Sequence, residues 1–283
     1  MEDLLIVYNY LRRNWSKIVI GALIWLMFTL MYVTDVYGAN NYYTTRGLVY
    51  FWDFENERAF TSDIKANAQA FAQGKVRWIP PEFSFNDTGV IHVHGDKNPI
   101  SLFIIPSARF DKKDLSYWTI DFEFACGTHA VDHEDHAAEG GGRLVDGNVF
   151  EWGDIVVKFF RSPRNPEWEG ILAIEYRGRE AFIEKVRGFD YHHMAIRSED
   201  VGISVWYNTR FIEYFNRPRR TMQGQKVKFG GSRFAGRFDD IKLYNVRLRP
   251  WEIVSNYHAE ELLVDPKEKL ITTWGKLKNE MGY

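Results

Sequence analysis

The chain has 283 residues, a formal net charge of -2 and a single cysteine, Cys126. A near-neutral balance with no basic cluster and no RNA- or DNA-reading motif gives no reason to expect a nucleic-acid partner. One cysteine excludes an internal disulfide and favours a bacterial or organellar setting over an oxidising secretory one.

The first element expected is a membrane anchor over residues 1–37. Leu4, Leu5, Val7, Tyr8 and Leu11 recur at helical spacing and form an apolar face suited to a membrane surface or to lengthening the anchor. Between Lys17 and Asp35 the chain carries no charge. Roughly 17 residues at about 1.5 Å each give about 25 Å of helix, a little short of a hydrocarbon core. Trp15 and Tyr32 suit the two interfaces, Lys17 can snorkel, and Trp25 lies within the apolar run. A buried core helix is rarely apolar on every face for so long. A cleaved signal peptide is the stronger rival, since Val36-Tyr-Gly-Ala39 ends in small residues. The expectation is an uncleaved anchor. Arg12, Arg13 and Lys17 precede it and Asp35 follows, so the N-terminus belongs in the cytosol or matrix and the rest of the chain on the opposite side. Glu2 and Asp3 do not suit a cleavable mitochondrial presequence.

Residues 38–46 read as a short polar linker. Beyond it, apolar/polar alternation bounded by Gly, Pro, Asn and Asp clusters predicts strand after strand. Two stretches look like insertions: residues 127–147 and the loop Ser162-Pro-Arg-Asn-Pro166. The most informative segment is Phe234-Ala-Gly-Arg-Phe-Asp-Asp-Ile-Lys-Leu-Tyr-Asn245, a strand running into a short helix that opens at Pro250. Pro fits the first helical position without a capping Ser, because its missing N–H is unpaired there anyway.

That segment resembles the closing signature of laminin-G-like (concanavalin A-like) jelly rolls, apart from Arg249-Pro250 where the family usually has a Ser cap. Three further segments resemble the family in the same order: Gly47–Phe54 as its opening strand, Trp118–Phe124 as a central strand, and Phe189–Ile196 followed by Val201–Asn208. The resemblance implies an all-β, two-sheet antiparallel sandwich over residues 47–260, with Trp52, Phe122, Phe124, Ile196, Val205 and Leu243 in its core. It says little about function, because the fold carries lectins, glucanases, adhesion modules and structural subunits alike.

The tail, residues 261–283, starts with Asp265-Pro-Lys-Glu268, a capping-box-like opening. Leu270, Trp274, Leu277 and Met281 then recur at helical spacing as an amphipathic face. That face folds back on the sandwich or binds a partner or membrane.

Candidate chemistry is sparse. Glucanases of this superfamily carry an E-x-D-x-(x)-E strand, and the matching strand here reads Thr119-Ile-Asp-Phe-Glu123. Thr119 takes the place of the first carboxylate, so Asp121 and Glu123 are expected to form a solvated polar face without catalysis. His129, His133 and His136 would align on one helical face and with Asp132 could bind zinc, although a solvated loop is the favoured reading. The resemblance maps a calcium ligand onto Asp239 or Asp240, with Asn56 and Asp63 only approximating the family's second ligand group. Ten Trp and fifteen Tyr are enough to build a sugar-stacking platform, yet most aromatics in a sandwich are core. One of His192 and His193 should face the core. The first expectation for function is a non-catalytic accessory subunit of a membrane complex, placed in the mitochondrial inner membrane on a respiratory complex. It has no cofactor unless calcium, and its partners are neighbouring subunits and the bilayer. The alternative is a glycan-binding or adhesion module at a cell surface or envelope.

Overall fold

Strand-forming patterns outnumber everything else in this chain, and the computed structural model follows them. It describes residues 44–259 apart from 58–59, 64–68, 82–87, 96–101, 108–115, 128–143, 218–221, 223 and 232. The first strands are β1 (Leu48–Trp52), β2 (Phe71–Gln73), β3 (Val76–Ile79), β4 (Val90–Val93), β5 (Leu102–Ile105), β6 (Thr119–Cys126), β7 (Gly147–Trp152) and β8 (Ile155–Arg161). Then come β9 (Glu169–Tyr176), β10 (Arg179–Arg187), β11 (Tyr191–Ser198), β12 (Ile203–Tyr207), β13 (Arg210–Phe215), β14 (Val227–Phe229), β15 (Gly236–Tyr244) and the helix α1 (Pro250–Tyr257).

The described strands form two antiparallel sheets. One runs β13-β12-β11-β6-β15-β4-β3, with β1 also paired to β15; the other runs β10-β9-β8-β7-β14-β5-β2. Residues 44–257 form one compact unit. Rings from the two sheets meet between them. Phe122 of β6 stacks on Phe150 of β7 at 5.3 Å and meets Phe229 of β14 edge-on at 5.2 Å, while Trp118 lies 4.7 Å from Trp152. Trp52, Phe122, Phe124, Ile196, Val205 and Leu243 are all fully buried, as expected. The chain is thus a two-sheet antiparallel β-sandwich.

Strand β15 shows how sequence spacing becomes geometry. Asp239 faces Glu123 of β6 and Lys242 faces Asp121, so one extra residue is inserted in β15 between them. That bulge contains Asp240, at a positive φ of 50° that a side chain rarely adopts. It restarts the alternation: Phe238 and Ile241, three apart, both point into the core.

Helix α1 is capped from within. The Glu252 carboxylate, at the third helical position, accepts the backbone N–H of Arg249 at 2.6 Å, and Arg46 clamps the same carboxylate with two hydrogen bonds. This is the reciprocal half of a capping box and replaces the missing Ser.

Several expectations lie outside the described residues. These are the anchor with Trp15, Lys17, Trp25 and Tyr32, the histidines His129, His133 and His136, and the tail with Leu270, Trp274, Leu277 and Met281. Among the described residues, no helix is long and apolar enough to cross a membrane.

Candidate functional site

Alternation in β6 turns Ile120, Phe122 and Phe124 inward and Thr119, Asp121 and Glu123 outward. The expectation that these outward residues form a solvated face is wrong. Thr119 and Asp121 are fully buried, and Glu123 keeps only partial exposure. The reason is tertiary: α1 folds back across this side of the sheet. Its Tyr257 ring lies 5.5 Å from the His193 ring of β11, and Asn256 donates to the Tyr244 hydroxyl at 3.0 Å. The Thr119 hydroxyl is committed too, donating to the carbonyl of Val246 and accepting from the N–H of Leu248.

The result is a buried ionic seam across β11, β6 and β15. His193 Nε2 lies 3.1 Å from Asp121 Oδ2, outside hydrogen-bond alignment. Lys242 donates to Asp240 and sits 4.9 Å over the Phe51 ring. Burial alone would lower the Lys242 pKa, but the charges of Asp240, Asp121 and Glu123 outweigh it and hold the ammonium above its ordinary value. Asp239 accepts from the Thr88 hydroxyl at 2.7 Å and from the Asp240 N–H at 2.8 Å. The two aspartates proposed as calcium ligands therefore sit in the bulge, each engaged by the protein. Among the described residues, no three His, Cys, Asp or Glu side chains are grouped to hold a metal. His192 is the histidine that faces the core: its Nδ1 accepts from the Tyr207 hydroxyl at 2.8 Å, its Nε2 pairs with the Arg187 carbonyl, and burial lowers its pKa.

Glu123 makes the seam pH-sensitive. Burial pushes its carboxyl up from 4.5 to about 7, with the Asp240 charge adding and Lys242 and His193 opposing. The folded chain thus keeps a proton that the unfolded chain releases. That contribution to stability is complete below pH 4.5 and lost as pH rises through 7. Glu123→Gln should flatten this slope and leave the protein more stable than the parent above about pH 8, by about 1–3 kcal/mol. Urea titrations at three pH values would show it, and an unchanged slope would count against the assignment.

A second cluster lies at the β13 edge of the same sheet, beyond the helix. The β11–β12 turn, residues 199–202, depends on Gly202: its φ is +95°, and a Cβ there would meet the Phe215 carbonyl oxygen at 1.8 Å. Two tyrosine hydroxyls hold the turn from opposite sides. Tyr117 donates to Asp200 at 3.0 Å, and Tyr214 donates to the carbonyl of Val201. Arg197 Nε donates to Glu199 and to the Ser204 hydroxyl, and Nη1 donates to the carbonyl of Leu248. Arg247 donates to Glu199 at 3.0 Å, lies 3.4 Å from Asp200, and stacks 5.4 Å over the Tyr117 ring. Trp206 lies under Arg197 at 5.4 Å and meets Phe211 edge-on at 5.6 Å. Beside the turn Tyr117 is 39% and Tyr214 38% exposed, while Phe211, paired with Trp206 further along β12 and β13, is 52% exposed. Exposed rings beside planar, pre-positioned polar groups can stack on a ring and read its hydroxyls.

No family model matches this chain and no curated protein is significantly similar to it. Solved structures do share its fold. The Trypanosoma rangeli sialidase in complex with sialic acid matches at 12% identity and a TM-score of 0.54, over 76% of this chain and 33% of that one. Domain 4 of AbnA, a GH43 extracellular arabinanase from Geobacillus stearothermophilus in complex with arabinotriose, matches at 12% identity and 0.51, over 75% of this chain and 98% of that one. The botulinum neurotoxin serotype C1 binding domain matches at 8% identity and 0.51, over 76% of this chain and 53% of that one. At such identities the likeness carries the sandwich and nothing finer.

Sequence reasoning missed the edge cluster. Its aromatics were counted, but neither the alternation of β12 nor that of β13 shows which rings stay uncovered. The one available signal was the run Arg197-Ser-Glu-Asp200, three charged residues in four at a hairpin turn.

Proposed function

We propose that this chain is a non-catalytic, glycan-binding jelly roll, displayed at a cell surface or envelope on the single-span anchor expected over residues 1–37. Sugar is taken at the β11–β13 edge. The observation that carries the reading is the exposed pair Tyr117 and Tyr214 beside a carboxylate–guanidinium network fixed by the turn, with the exposed Phe211 further along β13. Flat sugar faces stack on such rings, and planar Asp and Arg side chains meet paired hydroxyls. Absence of catalysis is supported by Thr119 standing where glucanases have their first carboxylate, and by the burial of Asp121. The sialidase and the arabinanase domain that share the fold were each solved in complex with a sugar, which accords with this reading. The respiratory-chain subunit expected first from the sequence finds no such accord.

Retention of the detergent-solubilised chain on a panel of immobilised glycans tests the proposal. At least one glycan should retain the parent, and Phe211→Ala with Asp200→Ala should weaken that retention by at least about tenfold while leaving thermal unfolding unchanged. Retention by no glycan, or retention indifferent to both substitutions, would sink it.

A further inference from the structure

Resting on that reading, we infer that the ligand is a linear oligosaccharide lying lengthwise along β12 and β13, held by Phe211 at one end and by the Asp200 turn at the other. Strand register carries this. Trp206 faces Phe211 and Ser204 faces Tyr214, and residues directly opposite share a face. Ile203 and Val205 point into the core, so Ser204 and Trp206, and with them Tyr214 and Phe211, point outward. On β13 the two rings are three residues apart, which would put them on opposite faces of a regular strand. One extra residue in β13, between the partners of Val205 and Trp206, brings them to the same side. The strand that bears them ends its sheet and is tied down there. Arg210 donates to Glu184 of β10, and Arg179 of β10 lies 3.6 Å from Glu213.

The strip is longer than one sugar. Phe211 is level with Trp206, three residues or about 10 Å from the start of β12 at Ile203, and the turn with Asp200 lies beyond that. No single sugar ring touches both Phe211 and Asp200. The two ends differ in chemistry. Phe211, which meets Trp206 edge-on, presents an open ring to a sugar's apolar face. The turn presents polar groups. Asp200 holds the Tyr117 hydroxyl through Oδ1, and its other oxygen, on a side chain 70% exposed, is open to a ligand hydroxyl. Arg247 reaches Glu199 and Asp200 through Nη1 alone, so its Nε and Nη2 are left to donate to hydroxyls. Between the ends lie the Tyr214 ring, whose hydroxyl is committed to the turn, and Trp206 with Arg197 over it. Each end alone is a small, exposed contact. A chain that reaches both makes the second contact intramolecular, so its affinity rises without any new kind of interaction.

Calorimetry of the detergent-solubilised full chain tests this with two length series, glucose to cellohexaose and glucose to laminarihexaose. A third series is cut from any glycan that retains the chain on the panel. In at least one series the long members should bind at least about tenfold tighter than the disaccharide, with the gain levelling off once the strip is filled. Phe211→Ala should bring the long members down to the level of the disaccharide, because it removes the far contact. Phe211→Tyr keeps a ring and should retain the dependence on length. Asp200→Ala should weaken every length by a similar factor. Affinity that does not change with length in any series that binds would overturn the inference while leaving the glycan reading in place. A loss on Phe211→Ala that is equal at every length would do the same, since both mean that one subsite does all the binding. If no member binds and the glycan panel also fails to retain the chain, the glycan reading falls and takes this inference with it.

Discussion

Replacing Lys242 by Ala should destabilise the sandwich by about 3–5 kcal/mol, because it leaves a buried carboxylate without its cation. The Lys242 side chain is 1% exposed and is bonded to Asp240, with Asp121 and Glu123 close enough to raise its pKa. Without it those carboxylates face one another under cover, and Asp240 already has one oxygen, Oδ1, lacking a hydrogen-bond partner. The contact to the Phe51 ring is lost as well. Glu123, whose carboxyl burial already raises, can escape part of the penalty by binding a proton, so the loss should be smaller at pH 5 than at pH 8. A double variant, Lys242→Met with Asp240→Asn, removes both charges at similar volume and should recover most of the stability. Urea unfolding of the three proteins decides the matter. A loss below about 1 kcal/mol for Lys242→Ala would mean that water reaches the seam.

Phe122→Ala should cost a comparable amount, about 3–5 kcal/mol, for a different reason. The Phe122 ring is fully buried and touches both sheets, stacked on Phe150, edge-on to Phe229 and tilted against Phe124. Removing it opens a cavity where the sheets meet. Pleated strands in register cannot collapse into such a void without breaking ladder hydrogen bonds elsewhere. Phe122→Leu keeps most of the volume and should cost about 1–2 kcal/mol. Equal losses for Ala and Leu would show that the ring packs more loosely than its contacts imply. No pH dependence is expected here, which separates this effect from that of Lys242.

The two substitutions fall on opposite sides of the same pair of strands, and they mark what local sequence could and could not reveal. The inward side of β6 and β15 was legible. Phe122 and Phe124 were expected in the core, and alternation puts them on one side, because side chains in a strand point to opposite faces with period two. The bulge in β15 was not read from the sequence, although the three-residue spacing from Phe238 to Ile241 carries its trace, since one extra residue is needed to bring the second apolar side chain back inward. Pro250 fixed the start of α1 through its missing N–H and restricted φ.

The outward side was not legible. Whether Asp121 and Glu123 meet water depends on where α1 lies, and the residues that bring it there are far off in sequence: Tyr257 over His193, Asn256 on Tyr244, Arg46 on Glu252. The edge cluster has the same character. Tyr117, Asp200, Tyr214 and Arg247 are spread over most of the chain, and strand pairing alone brings them around one turn. Sequence by itself determined the strands and their inward faces, because those follow from local periodicity, and its resemblance to laminin-G-like jelly rolls implied the sandwich. Only the tertiary structure decided which charged face is covered and which rings stay open, because burial belongs to pairs of distant segments and leaves no periodic trace in either one.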